Sequence, residues 1–576
     1  MMSAGQHNRL IAFFQVSPWR GALLLSVFCL TLYLPGFFTL PPLDRDEARF
    51  AQASVQMLES GQYLDIRFQD TPRYKKPPGA YWLQAAALKI FNSETRQIWI
   101  HRLPSLLAAL GGVWLLFFLA RPLIGQAPAA LAAALLGASI LLVSEAHQAK
   151  TDALLLFCAI GAQMALCRIW LLHARETKTA GSTLSACSST AGMAALFWGA
   201  QAGAILLKGP VLPFISLSTI LALGVTTRQW RWLKNLYPLA GFICLGLLLV
   251  PIAIAMERAT GGTFASQALS QDFLPKLLSG QESHGAPPGY YVLLAFFTFW
   301  PASLFLIPAC ICAWRSRRDG LYFFLLAWIV PSWLVFELIP TKLPHYVLPL
   351  YPALAIATSL FLTTGIPEFV SLCRTRLSRL GSFIWLMPSL ILGVGMALLP
   401  FYFDERPSLF VWVLAPLVIA LAAWAFGAFW QGKKGQAAWL ALAAAIPAYA
   451  MVLQCVLPQI KALNLSSRAI GLLSQAEILH STLPVAAVGY HEPSLVYLAG
   501  TRTQLVSADE AATLMTKRKI SGVLIAGGDI EAFQQALGRE GEVAFASSSV
   551  SGLNYSRGDQ VTLHLFLPGN GPTVTW

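Results

Sequence analysis

The sequence predicts a polytopic α-helical membrane protein that ends in a small α/β domain. Three observations predict it. The 576-residue chain is 56% hydrophobic and only 12% charged, with a mean hydropathy of +0.60; a soluble chain of this length divides into several cores beneath many more charges. Apolar runs of about twenty residues, the thickness of a bilayer core, recur to about residue 457. From residue 458 the pattern changes. Short β-like runs at Val485–Val488, Gly522–Ala526 and Val561–Leu567 alternate with helix-like stretches at Asp509–Lys517 and Ile530–Leu537. The expected division is a transmembrane domain over 1–457, with a long outer loop at 41–102, and an outer α/β domain over 458–576.

The spans are expected at 21–40, 103–120, 127–143, 152–173, 191–207, 210–226, 236–256, 289–313, 320–339, 346–364, 382–402, 409–430 and 436–457, about thirteen in all. The first run is too long for the core of a signal peptide, and Pro41-Pro42 and a charged segment follow it instead of a small-residue cleavage site. It is read as an uncleaved span. An odd count puts the termini on opposite sides of the membrane.

With the N-terminus cytoplasmic, the inner connections collect Arg175, Arg228, Arg231, Arg315, Arg317, Arg374 and Lys433, among others. That is a bias of about two to one over the outer connections, the first loop aside. The first loop defies the rule: Arg45, Arg49, Arg67, Arg73, Lys75 and Lys76 stand outside, against Asp44, Asp46, Glu47, Glu59, Asp65 and Asp70. A basic outer loop of this kind suggests an anion to bind. The net charge of +13 reports on topology and anionic lipid. No basic cluster interleaved with aromatics marks a nucleic-acid surface. The nine cysteines lie mostly in apolar runs and none has zinc-site spacing.

The candidate residues all fall on the outer side. Leu43–Phe50 packs five charged side chains into eight residues directly after the first span, and charge held beside a bilayer usually marks a site. Asp44 is expected to cap a helix running to Glu59, with Glu47 three residues on as its capping-box partner. That leaves Asp46 free as a carboxylate able to take or orient a proton; its plain alternative is a first-turn acid complementing the helix dipole. Lys75-Lys76-Pro77-Pro78 sets two ammonium groups before a rigid turn, suited to a lipid phosphate or to ordinary headgroup contact. Asp152 opens the fourth span as a second acid or a simple cap. Lys208 stands at an outer turn, where lysines commonly snorkel. Lys342, His345 and Tyr346 form a donor-rich patch that serves a phosphate or an aromatic belt equally well, and His284 is a lone loop histidine. Each signal is weak alone. Together they bring acids and cations from distant parts of the chain to one face of the membrane.

The order of these motifs resembles the polyprenyl-phosphate-dependent GT-C glycosyltransferases, in particular the aminoarabinose lipid A transferases and their relatives, the protein O-mannosyltransferases. The resemblance rests on Asp46-Glu47-x-Arg49-Phe50, Lys76-Pro77-Pro78-x-x-Tyr81-Trp82, Thr151-Asp152-Ala153, Lys208-Gly209-Pro210, His284 before Pro287-Pro288-x-Tyr290-Tyr291, and Lys342-Leu343-Pro344-x-Tyr346. It runs to about residue 360. It implies a GT-C fold that transfers a sugar from a polyprenyl-phosphate donor at the periplasmic face of a bacterial inner membrane. It implies Asp46, Glu47 and Asp152 as catalytic residues. Lys76, Arg49, Lys208, Lys342, Tyr346 and His284 are implied as ligands of the donor phosphate. Lys75 stands where lipid A-modifying relatives tend to carry a metal-binding Glu; this departure counts against a metal at that site and weakens, without removing, the expectation of lipid A modification. The expected partners are the lipid-linked donor, a lipid, glycan or protein acceptor and membrane lipids, with the chain a monomer. A transporter or flippase of lipid or lipid-linked sugar is the competing reading. It predicts ionisable residues near span midpoints, whereas these cluster at outer ends.

Overall fold

A computed structural model describes residues 17–568, apart from 92–95, 177–183, 269, 271–284, 364–368 and 541–544. His284 lies outside the described residues. Among the described residues, nine helices are long and apolar enough to cross a membrane, or ten with the bent pair Gln126–Gly137 and Ile140–Ala146 counted as one span; Pro18–Tyr33, Val211–Thr227 and Ala302–Arg315 are shorter apolar helices. Each expected span coincides with helix. Two differ in form. The pair at 126–146 bends by 64°, and the stretch expected at 289–313 divides into Tyr290–Thr298 and Leu306–Arg315 around a 3-10 turn. The first span also stops at Tyr33, two residues before Pro35; proline has no N–H to continue the helical hydrogen-bond ladder.

The loop after the first span holds two helices. In Asp46–Ser60, Ala48 and Ala51 pack against Ile98 and Tyr497, with Val55 beside them, so the apolar spacing read from the sequence selects the buried face. Phe50, Ala53 and Met57 cover Ala80 and Tyr81 of the second helix, Gly79–Ile90, with the Phe50 and Tyr81 rings stacked at 4.7 Å. Burying a phenylalanine fully contributes about 1.5–3 kcal/mol. Gly61, at φ 70°, ends the first helix in the left-handed conformation that glycine adopts without strain. Gly79 is needed for a different reason: a Cβ there would stand 2.7 Å from the Leu206 carbonyl. Only glycine lets the second loop helix reach the end of Leu184–Lys208, which carries Lys208.

The hairpin between those helices pairs β1 (Arg67–Phe68) with β2 (Thr71–Pro72) and delivers Arg73. Beyond the last long helix, Lys434–Gln459, the chain forms a five-stranded mixed sheet. Its strands are β3 (Val485–Val488), β4 (Gln504–Leu505), β5 (Gly522–Ala526), β6 (Phe545–Asn554) and β7 (Asp559–Leu567), in the order β4-β3-β5-β7-β6. β3 pairs in parallel with β4 and β5, and β7 runs antiparallel to β5 and β6. Helix Ala508–Thr516 begins at a capping box formed by Ser507 and Glu510. This domain sits directly on the first loop. Gln52 and Gln69 donate to Thr501, Gln69 donates also to the Thr503 carbonyl, and Arg96 donates to the Tyr497 carbonyl.

Candidate active site

Asp46 is the first residue of its helix, and its side chain is 60% exposed. The expected cap is not made. Arg45 occupies the cap position at φ 67° with no side-chain cap, and the Asp44 carboxylate accepts from the Ser494 amide 450 residues away. A tertiary partner in the C-terminal domain has taken the place of the local capping bond. The Arg73 guanidinium lies 3.8 Å from Asp46 Oδ1 and over the Phe50 ring at 5.4 Å; it is buried, and its Nε has no hydrogen-bond partner. Desolvation by the protein around it works against ionisation of Asp46 even though the side chain reaches solvent, but Arg73, Lys150, His345 and Arg49 hold its pKa below the ordinary aspartate value.

Glu47 faces the other way and is 1% exposed. Its two oxygens accept from Arg102 Nε and Nη2 at 2.8 Å each, from the Leu43 amide and from the Ala149 amide. Arg102 donates in turn to the carbonyls of Leu40 and Pro41. Every strong bond of this carboxylate is internal, so Glu47, expected as a catalytic residue, is instead positioned as a clamp. It fixes the Asp46 helix to the end of the first span and to the turn that presents Lys150 and Asp152.

That turn forms the second half of the site. Asp152 is ion-paired with Lys208, and Lys150 donates to Glu145 Oε1 at 3.2 Å. His345 lies between the two carboxylates, 3.9 Å from Glu145 Oε1 and 3.8 Å from Asp152 Oδ1. Lys208 also faces the Tyr346 ring at 5.5 Å. The pKa of Lys150 is held up against its burial by Glu145, Asp152 and Asp46. Glu145, Asp152 and His345 offer ligand atoms within 4.8 Å of one another, the spacing of a metal site.

The structure therefore brings Asp46, Asp152, Lys208 and Tyr346 together, with Arg49 contributing to the field on Asp46. Lys76 is half-buried just before the second loop helix. Lys342 departs from expectation. Its ammonium donates to the carbonyls of Phe336, Glu337 and Ile339, capping the C-terminal end of helix Gly320–Leu338. His345, read from the sequence as part of a donor-rich patch, joins the cluster, and Arg73, Lys150 and Glu145 complete it without having been singled out as site residues. An acid at the outer end of an apolar run, as at Glu145, was the legible signal.

Residues 75–254 match the family of dolichyl-phosphate-mannose-protein mannosyltransferases. The undecaprenyl phosphate-alpha-4-amino-4-deoxy-L-arabinose arabinosyl transferase of Edwardsiella ictaluri is 26% identical over 345 residues, 59% of each chain; the chain thus spans under two thirds of that relative's length. The enzyme of the same name from Pseudomonas aeruginosa is 26% identical over 70% of this chain and 71% of its own. ArnT from Cupriavidus metallidurans, in a crystal structure bound to undecaprenyl phosphate, superposes with a TM-score of 0.74 at 17% identity, covering 94% of this chain and 97% of that one. The chain shares the fold of ArnT over nearly its whole length and is similar in sequence to these glycosyltransferases over the stretches they match. The archaeal oligosaccharyltransferase of Archaeoglobus fulgidus shares the fold more distantly, with a TM-score of 0.51 at 12% identity.

Proposed function

We propose that this glycosyltransferase moves a hexose or pentose from a polyprenyl-phosphate donor to a lipid, glycan or protein acceptor at the periplasmic face of a bacterial inner membrane. It would act as a monomer with a cytoplasmic N-terminus and the outer domain in the periplasm. One observation carries the reading: an accessible carboxylate, Asp46, is kept ionised beside a basic cluster built from Arg73, Lys150 and Lys208. In this scheme Asp46 takes the proton from the acceptor hydroxyl or amine as that atom attacks the anomeric carbon. The bond from that carbon to the phosphate oxygen breaks with inversion, and polyprenyl phosphate leaves with the electron pair. Cations fixed beforehand at the place where this charge develops stabilise the departure. The relatives named for undecaprenyl-phosphate-linked aminoarabinose, and the bound undecaprenyl phosphate in the Cupriavidus structure, support this donor class.

The Glu145, Asp152 and His345 set fits a resident metal poorly. Lys150 and Lys208 already hold the two carboxylates, so a divalent ion would have to displace two buried ammonium groups or stand beside them as further positive charge. The lysines supply the positive charge themselves.

The deciding experiment is Asp46→Asn in membranes supplied with lipid-linked sugar. Transfer should fall by roughly 10²–10⁴-fold, the usual contribution of a positioned base, while donor binding persists. Excess chelator should leave the wild-type rate unchanged. Undiminished transfer by a folded Asp46→Asn protein rejects the assignment.

A further inference from the structure

A second concavity lies away from the acid–base cluster. It is a groove of about 570 Å³ lined by Phe38–Pro41 at the end of the first span, Gln97–Trp99 at the start of the second, and Asn464 and Ser467 of the outer domain. None of these nine residues is charged, in contrast to the cluster around Asp46. Phe38 is 60% exposed and meets Trp99 edge-on at 5.5 Å. Amides (Gln97, Asn464) and hydroxyls (Thr39, Ser467) stand around this aromatic pair. A plain interfacial aromatic belt needs rings at headgroup depth, but it needs neither a concavity nor amides converging from a separate domain. Flat apolar ring faces bordered by neutral donors and acceptors match a saccharide, which presents C–H faces and hydroxyl edges; phosphate calls for cations.

We propose that this groove binds the uncharged sugar rings of a lipid-anchored acceptor glycan. The inference rests on the glycosyl-transfer reading and narrows its acceptor to a glycolipid. The location suits that role. Leu40 and Pro41, on the wall of the groove, receive their hydrogen bonds from Arg102, whose other bonds hold Glu47 beside Asp46. A bound acceptor would therefore lie one side chain away from the clamp of the catalytic helix.

The test is hydrogen–deuterium exchange of the full chain in phosphatidylcholine nanodiscs. The nanodiscs carry, in separate samples, digalactosyl diacylglycerol, phosphatidylglycerol or diacylglycerol at equal fraction. The galactolipid alone should slow exchange several-fold in residues 97–100 and 464–468. Ser467→Trp should abolish the protection, as should Thr39→Trp, whose exposed position leaves folding undisturbed. Equal protection by phosphatidylglycerol, protection that survives both tryptophans, or none with the galactolipid would overturn the proposal. Asp46→Asn should bind the galactolipid as the wild type does, so a failure of the groove and a failure of the base assignment read out separately.

Discussion

Two turns, at residues 145–152 and 337–346, are built from the same kinds of side chain and use them in opposite ways. In the first, Lys150 pairs with Glu145, Asp152 pairs with Lys208, and the cluster faces Asp46. In the second, Lys342 donates to three carbonyls at a helix end, and Glu337 accepts from the amides of Gly289 and Val292 at the start of another helix. Ammonium and carboxylate groups do chemistry only where the backbone leaves them unused. Helix ends with unsatisfied N–H and C=O groups compete for them, and at 337–346 the helix ends win. The same contrast separates the neighbours Asp46 and Glu47, one open and one sealed.

The largest expected effect comes from breaking the sealed member. Glu47→Gln leaves the Arg102 guanidinium, fully buried, facing a neutral amide. Removing one partner of a buried ion pair costs about 3–5 kcal/mol. Thermal unfolding in detergent should show a large fall in Tm, with sugar transfer declining in proportion to the folded fraction. A variant with wild-type Tm and no transfer would return Glu47 to a catalytic role and erase the distinction drawn between it and Asp46.

A smaller effect sharpens the contrast between the turns. Lys342→Met removes a cation from a helix C-terminus, worth typically about 0.3–1 kcal/mol. The Michaelis constant for the lipid-linked donor should stay within about twofold, an energy change of the order of RT ln 2. A tenfold rise would mean that Lys342 leaves its carbonyls and binds the donor phosphate after all.

These contrasts also mark what could be read from the sequence. Span positions were legible because twenty-residue apolar runs have few other uses in a chain this hydrophobic. The helices at Asp46–Ser60 and Gly79–Ile90, and the strands at Val485–Val488 and Gly522–Ala526, were legible because each carries its own periodicity or turn residues. The proximity of Asp46, Asp152 and Lys208 followed from topology, which sends distant residues to one face. The partner of each side chain was beyond reach. No local pattern says that Asp44 will meet Ser494 instead of its own helix, that Glu47 will meet Arg102, or that Lys342 will turn back on Phe336, Glu337 and Ile339. Arg73 looked like one cation among many in its loop until β1 and β2 placed it against Asp46.

Another effect of this small size concerns the seam between the first loop and the C-terminal domain. Asp44 is held there by the Ser494 amide, and its own amide donates to the Tyr555 hydroxyl. Burial, with Glu492 nearby, pushes the Asp44 carboxyl up to about 6. An acid whose pKa is higher in the folded state than in the unfolded chain stabilises the fold through its protonated form. That contribution is complete below the unfolded value near 4 and is lost as pH rises through about 6. The native seam should therefore weaken between about pH 4 and pH 6. Asn keeps the carbonyl oxygen that accepts from Ser494 and removes the charge, so Asp44→Asn should raise Tm at pH 7, by an amount corresponding to about 1 kcal/mol after allowance for solvent screening. It should also flatten this part of the pH–Tm profile. A lower Tm at pH 7 would mean that the charge itself holds the seam, by way of Arg45, and would make Asp44 a third kind of carboxylate in this octet: neither open like Asp46 nor neutralised like Glu47.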